Sequence, residues 1–244
     1  MPTYTLSITG RVAYVVGGAS GIGAAIAYAL LDAGISVGII DRNSVGPSAK
    51  ATSTGARRAT FKADVSQAIE VGRVIEEARA ELGNPDYLIH CPGIYPRSRV
   101  EDMDEAEWDR VLDTNLKSAF LMFRGLIPWL SASPAGRILA ITSELGSSGV
   151  ASGSHYAASK AGLSALVRSC AKEVADRSLT VNAIAPGLTD TPMMRGANDE
   201  AYIASVAARQ PGGRLGQPGD VVGLVMYLLS DAGALVTGQV LNFR

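Results

Sequence analysis

The sequence predicts an α/β fold, a single doubly wound parallel sheet. Three observations carry that expectation. Short apolar runs alternate with longer helical patterns from Val12 to the C-terminus, with no linker and no internal repeat. The first apolar run passes directly into a glycine-rich turn and then a helix. The runs end in Gly, Asp, Ser or Pro-Gly, residues suited to the binding turns beyond the strand ends of such a sheet.

Val12–Val16 (VAYVV) reads as a buried strand. GGASGIG follows, and then AAIAYALLDAG, a helix closed by Gly34. Gly17, Gly21 and Gly23, with Ser20 and Ile22 between them, let the backbone turn tightly and approach a pyrophosphate on the helix N-terminus. A second strand, Ser36–Ile40, ends in Asp41, eighteen residues after Gly23. A carboxylate there accepts from ribose hydroxyls and repels a 2′-phosphate, so NAD is expected ahead of NADP. Arg42 beside it pulls weakly the other way.

Residues 42–57 are poor in large apolar groups and read as a loop or a weakly packed helix. Ala59–Ala63 is the third strand, followed by Asp64-Val65, with Ser66 as N-cap of a helix to Leu82. Tyr87–His90 is the fourth strand, leading into the turn Cys91-Pro92-Gly93. A long helix is expected from about Asp104 to Leu130, bent or broken near Pro128. The strand Gly136–Thr142 feeds Ser143, and a helix runs from about Tyr156 to Asp176. The strand Leu179–Ile184 ends near Pro186-Gly187, and a segment over about 189–214 reads as a mobile cover on the substrate. The helix Gly219–Leu229 and the strand Val236–Leu241 finish the chain.

Composition narrows the function. The 244 residues suffice for one large domain, spanning 1–244, and the 47% hydrophobic content suits a substantial core. A formal net charge of −1 offers no field for nucleic acid or an anionic membrane. No run is long enough to span a membrane, and the N-terminus lacks the pattern of a secretory leader. Cys91 and Cys170 make neither a disulfide framework nor a metal cluster, which suits a reducing compartment. The expectation is a cytoplasmic protein without a metal.

The chemistry concentrates between Ser143 and Lys160. Tyr156 and Lys160 stand four residues apart in a helical segment, one turn apart on one face. A fixed ammonium favours the phenolate, and lowering a tyrosine pKa by about 3 units takes roughly 4 kcal/mol. Ser143, at a strand end, can hold a substrate oxygen. Such a set moves a proton at a carbonyl or alcohol oxygen.

These motifs together resemble the short-chain dehydrogenase/reductase family over essentially the whole chain. The matching stretches are GGASGIG, Asp41, Asp64-Val65, Thr114-Asn115-Leu116, Ser143 with Tyr156 thirteen residues on, Lys160, VNAIAPGLTDTPM and TGQVLN. The resemblance implies a Rossmann-type domain in which Tyr156 is the general acid/base and Ser143 orients the carbonyl. It implies that Lys160 lowers the tyrosine pKa and binds the nicotinamide ribose, while Asn115 holds a relay water. It places Asp64 and Val65 at the adenine, Thr189 near the carboxamide and Thr191 near the phosphates. Cys91, Gly93, Pro186 and Gly187 join the cofactor-binding set at their strand ends.

Some positions depart from the family pattern. Val16 replaces a threonine, and His90-Cys91-Pro92-Gly93 replaces Asn-Asn-Ala-Gly. Pro92 has no N–H to donate. His90 is read as a structural histidine and Cys91 as a small buried hydrophobe. The 42–57 segment is less apolar than the family's second helix, and the chain stops at LNFR where relatives continue through Asp-Gly-Gly.

The expected activity is NAD(H)-dependent interconversion of a secondary alcohol and its ketone. A 3-oxoacyl thioester reductase, a sugar or polyol enzyme, and a non-catalytic dinucleotide sensor are the alternatives. Apolar residues on the 104–130 and 155–176 helices, Trp108 and Phe120 among them, suggest pairing across a two-fold axis into a dimer or tetramer.

Overall fold

The structure is a computed structural model and describes residues 6–43 and 54–243. Residues 44–53, most of the segment expected to be a loop or weak helix, lie outside the described residues. Seven parallel strands form one sheet: β1 (Val12–Val16), β2 (Ser36–Asp41), β3 (Arg58–Lys62), β4 (Tyr87–His90), β5 (Arg137–Ile141), β6 (Thr180–Pro186) and β7 (Val240–Phe243). Their order is β3-β2-β1-β4-β5-β6-β7. The order reverses between β1 and β4, where Val16 pairs with His90. A crevice opens beyond the strand ends at such a reversal.

The central strands β1, β4 and β5 are nearly continuous apolar runs because both faces are covered. Helices α1 (Gly21–Asp32) and α9 (Val222–Leu229) bury Ile26, Leu30, Val225 and Leu228 against one face. Helices α2 (Ala68–Leu82), α4 (Ser118–Ala132) and α6 (Ser154–Glu173) bury Val74, Met122, Leu126 and Leu163 against the other. Among the described residues no helix is long and apolar enough to cross a membrane.

Local expectations fail in three places. Ser66 does not cap α2. Its hydroxyl donates to Asp64 Oδ1 at 2.7 Å, and Gln67 takes the cap position. The short side chain found a closer partner in the turn. The long helix is not broken at Pro128, which sits inside α4. A proline there costs about 3 kcal/mol, but flanking Leu126 and Leu130 are fully buried and each contributes about 1.5–3 kcal/mol. The irregularity falls earlier, as a π-helical turn over Asp113–Lys117 between α3 (Glu105–Leu112) and α4. The final strand begins at Val240 rather than Val236, because Gly238 turns at φ 70° and its N–H donates to Val181 O.

The apolar residues expected to exceed what one sheet face covers are mostly covered within the chain. Phe123, Leu163 and Val167 are buried in the core, whereas Trp108 and Phe120 are exposed. The 189–214 segment folds into α7 (Pro192–Ala197) and α8 (Glu200–Ala207), capped by Thr191 and Asp199. Helix α5 (Leu145–Ser148) is a single turn after β5.

Candidate active site

A cavity of about 490 Å³ opens at the strand reversal. All the residues expected at a site line it except Asp64 and Asn115. One end is built from the first glycine turn. Gly17 has φ 73°, and a Cβ there would lie 2.9 Å from Pro92 N. A Cβ on Gly23 would overlap Gly17 O. The first turn of α1 has no acidic residue and no side-chain cap from Ser20, so its amides are open to an anion.

Asp41 closes this end. Its Oδ2 accepts from Ala19 N at 3.0 Å and its Oδ1 from Asn43 N at 2.9 Å, tying the glycine turn to β2. Arg42 lines the same wall. Thr191 reaches over from α7, its methyl 3.4 Å from where a Gly21 Cβ would stand. Asp64 is instead turned away into its own bend, accepting from Ser66 N and Oγ, while Val65 faces the cavity. The backbone cradle, open helix end and carboxylate fit a nicotinamide dinucleotide.

At the other end, β5 delivers Ser143. Thr142 is pinned by its N–H and Oγ1 to Ile184 O, and Ser143 Oγ accepts from Leu145 N at 3.2 Å. The serine O–H is thereby left to donate to the Tyr156 oxygen. Helix α6 carries Tyr156 and Lys160 on one face, both buried. Lys160 Nζ donates to Ile141 O at 3.0 Å and Pro92 O at 3.4 Å.

The electrostatics differ from the sequence expectation. Burial pushes the Tyr156 hydroxyl up to about 12; the Ser143 hydrogen bond opposes this and Tyr95 adds to it. Lys160 Nζ stands 5.9 Å from the Tyr156 ring centroid and spends its donors on main-chain carbonyls. Burial also pushes the ammonium down to about 8. Burial therefore keeps the phenol protonated at neutral pH, outweighing the Ser143 hydrogen bond.

Asn115 lies behind the cavity wall, fully buried in the π-helical turn. Its Oδ1 accepts from Ile94 N at 2.8 Å, and its Nδ2 donates to Ile94 O at 3.1 Å and Ser159 Oγ at 3.0 Å. Ser159 in turn donates to Tyr156 O at 2.7 Å. Sequence reading missed Ser159, for which no local signal exists. It also passed over Asn198 and Tyr202 on the cavity wall, although the Asp199 cap followed by EAY could have set Tyr202 on a helix.

The departures in the β4 turn are accommodated. Ser118 Oγ donates to Thr114 O, so it must accept from His90 Nε2 at 3.1 Å, and Nδ1 is the unprotonated ring nitrogen. Burial, with Lys160 adding to it, holds the His90 pKa down at about 3, so the ring is a neutral structural group. Cys91 is not the buried hydrophobe expected but a partly exposed thiol on the cavity wall, where desolvation raises it to about 12, against the pull of Lys160, so it stays a thiol at neutral pH.

Comparison with known proteins agrees with this geometry. A family model described as "Enoyl-(Acyl carrier protein) reductase" matches residues 17–243. The chain is 38% identical to a cis-4-hydroxycyclohexanecarboxylate dehydrogenase of Sinomonas cyclohexanicum, covering 95% of this chain and 94% of the relative. It is 34% identical to the 3-oxoacyl-[acyl-carrier-protein] reductase FabG of Escherichia coli (strain K12), covering 97% of both. A crystal structure of levodione reductase superposes with a TM-score of 0.90 at 28% identity, covering 96% of each chain. The chain thus belongs to the short-chain dehydrogenase/reductase family of oxidoreductases.

Proposed function

We propose that this enzyme interconverts a secondary alcohol and its ketone with NAD(H). The observation that carries the reading is the buried Tyr156 phenol, engaged by Ser143, in the same cavity as the glycine cradle and Asp41. The nicotinamide ring, when bound, supplies or accepts the hydride. Tyr156 gives its proton to the carbonyl oxygen in reduction and takes it back in oxidation. Ser143 holds that oxygen, and Lys160, a cation below about pH 8, stabilises the tyrosine as its proton leaves. Ile94, Leu145, Val150, Leu188 and Met193 make the substrate end largely apolar and exclude water.

Asp41 supports NAD over NADP, since a 2′-phosphate beside its carboxylate would meet like charge. A six-membered-ring alcohol is the favoured substrate class, supported by the similarity to the dehydrogenase of a hydroxycyclohexanecarboxylate. The second reading, reduction of a 3-oxoacyl thioester, is supported by the similarity to FabG. The free thiols of Cys91 and Cys170 suit a cytoplasmic location. Exposed Trp108 and Phe120 on α3 and α4 support a homo-oligomer.

Parallel fluorescence titrations with NADH and NADPH test the cofactor. Oxidation of cis-4-hydroxycyclohexanecarboxylate with NAD, set against reduction of an acetoacetyl thioester with each cofactor, tests the substrate class. Tighter NADPH binding with thioester turnover would replace the first reading by the second. Binding without turnover of any alcohol or ketone would leave a dinucleotide sensor.

A further inference from the structure

We infer that His155 and Glu107 are a positioning pair for Tyr156, gripping the proton donor through its own main chain. The inference rests on the reading of Tyr156 as the group that moves the proton.

Helix α6 starts at Ser154 behind Gly153, which contributes no side-chain cap. The first amides of a helix have no carbonyl partner inside it, and the Tyr156 N–H is one of these. It donates to His155 Nδ1 at 2.9 Å. A ring nitrogen that accepts carries no proton, so the imidazole proton sits on Nε2. Nε2 stands 3.3 Å from Glu107 Oε1 on α3. The contact is electrostatic rather than an aligned hydrogen bond, and among the described residues neither atom has a hydrogen-bond partner. The imidazole is fully buried, so water does not reach it, and it is held from one side by the Tyr156 amide and from the other by the carboxylate.

Glu107 is itself seated. Its N–H donates to the capping Asp104 Oδ1 at 2.6 Å, and its second carboxylate oxygen lies 3.9 Å from Arg110. The other end of the Tyr156 peptide is gripped as well. Its carbonyl accepts from Ser159 Oγ, which in turn accepts from Asn115 Nδ2. Both main-chain polar groups of residue 156 are therefore tied, through side chains, to the segment running from α3 into the π-helical turn. The phenol ring adds a third restraint through Tyr95. A shift of about 1 Å at a reacting group costs on the order of 100-fold in rate, so a main-chain clamp at this residue acts on turnover and not merely on folding.

The test compares four variants. In His155→Asn the Oδ1 stands where Nδ1 stood and keeps an acceptor for the amide. His155→Leu and His155→Gln lose it, and Glu107→Gln removes the charge behind the ring. Hydrogen exchange at the Tyr156 amide, the ring-carbon Cζ signal of labelled Tyr156 (assigned by its loss in Tyr156→Phe), NADH affinity, and turnover of cis-4-hydroxycyclohexanecarboxylate and an acetoacetyl thioester are measured on each. For His155→Leu and His155→Gln we expect faster amide exchange, a broadened or doubled Cζ signal, unchanged NADH affinity, and kcat down by roughly 10- to 100-fold. His155→Asn should recover most of each loss, and Glu107→Gln should fall between.

Wild-type kcat and a single unchanged Cζ signal in His155→Leu and His155→Gln, beside an inactive Tyr156→Phe, would overturn the pair and leave the Tyr156 reading standing. Loss of NADH affinity in step with kcat would also overturn it, as the mark of a general structural role. An active Tyr156→Phe would instead remove the reading beneath, and the positioning role with it. Should His155→Leu fail to fold, the contrast between His155→Asn and His155→Gln decides, and the amide and Cζ readouts hold even if neither probe substrate turns over.

Discussion

Tyr95 lies over Tyr156 with ring centroids 4.4 Å apart and planes tilted by 39°. The two rings come from different elements, the turn after β4 and the first turn of α6. Their contact covers one side of the phenol and contributes to the burial that keeps its proton on. Aromatic pairs of this kind are worth about 0.5–1.5 kcal/mol beyond their area. Tyr95→Ala should lower kcat by up to roughly tenfold and bring the Tyr156 pKa down from about 12. Tyr95→Phe keeps the ring and should stay near wild type. Steady-state kinetics and a Cζ titration of labelled tyrosine check both.

Gly23 packs its Cα against the carbonyl of Gly17, where no side chain fits. In Gly23→Ala the methyl must push the first glycine turn off α1, at a cost of about 1–3 kcal/mol. Because that turn is the cradle, NADH binding should be lost before the fold is. A fluorescence titration beside a urea unfolding curve separates the two effects.

Asp41 accepts two main-chain N–H groups and stands next to Arg42. Asp41→Ala removes the negative charge and leaves the guanidinium. The ratio of NADH to NADPH affinity should fall by at least about tenfold, since repulsion of a 2′-phosphate is gone and an arginine partner remains. Losing two hydrogen bonds to a charged acceptor should also cost about 1.5–3 kcal/mol each at most. Parallel titrations with the two dinucleotides give the ratio directly.

His90 makes the protein acid-sensitive. In the folded chain its pKa is held at about 3, whereas the ordinary value is 6.5. Between those limits the unfolded chain binds a proton that the folded chain refuses, so stability falls as pH drops from 6.5 towards 3. The slope is about 1.4 kcal/mol per pH unit from this residue. His90→Asn removes the titrating group. Its urea midpoint should therefore decline less than that of the wild type between pH 6.5 and 4.5, and parallel declines would refute the assignment.

Much of this protein is written in local pattern. VAYVV followed by GGASGIG, Asp41 after SVGII, and Tyr156 one turn before Lys160 could be read because strand, turn and helix depend on neighbours a few residues apart. A parallel sheet buried on both faces leaves continuous apolar runs, so its strands are easy to find even where their ends shift, as at Val240. Where two local preferences competed, reading failed: Ser66 could cap α2 or bond Asp64, and Pro128 could break its helix or be outweighed by Leu126 and Leu130.

Tertiary structure decided the rest. Nothing in the spacing of Thr114-Asn115-Leu116 foretells a π-helical turn that carries Asn115 to Ile94 and Ser159. The direction of the Tyr156 pKa depends on the burial of its ring, to which Tyr95 from the turn after β4 adds. His155 beside Tyr156 reads as an ordinary helix residue until Glu107 arrives from α3. A residue type and its local spacing limit what chemistry is available. The solvation of a group and its partners come from segments distant in the chain, and only packing brings those segments into contact.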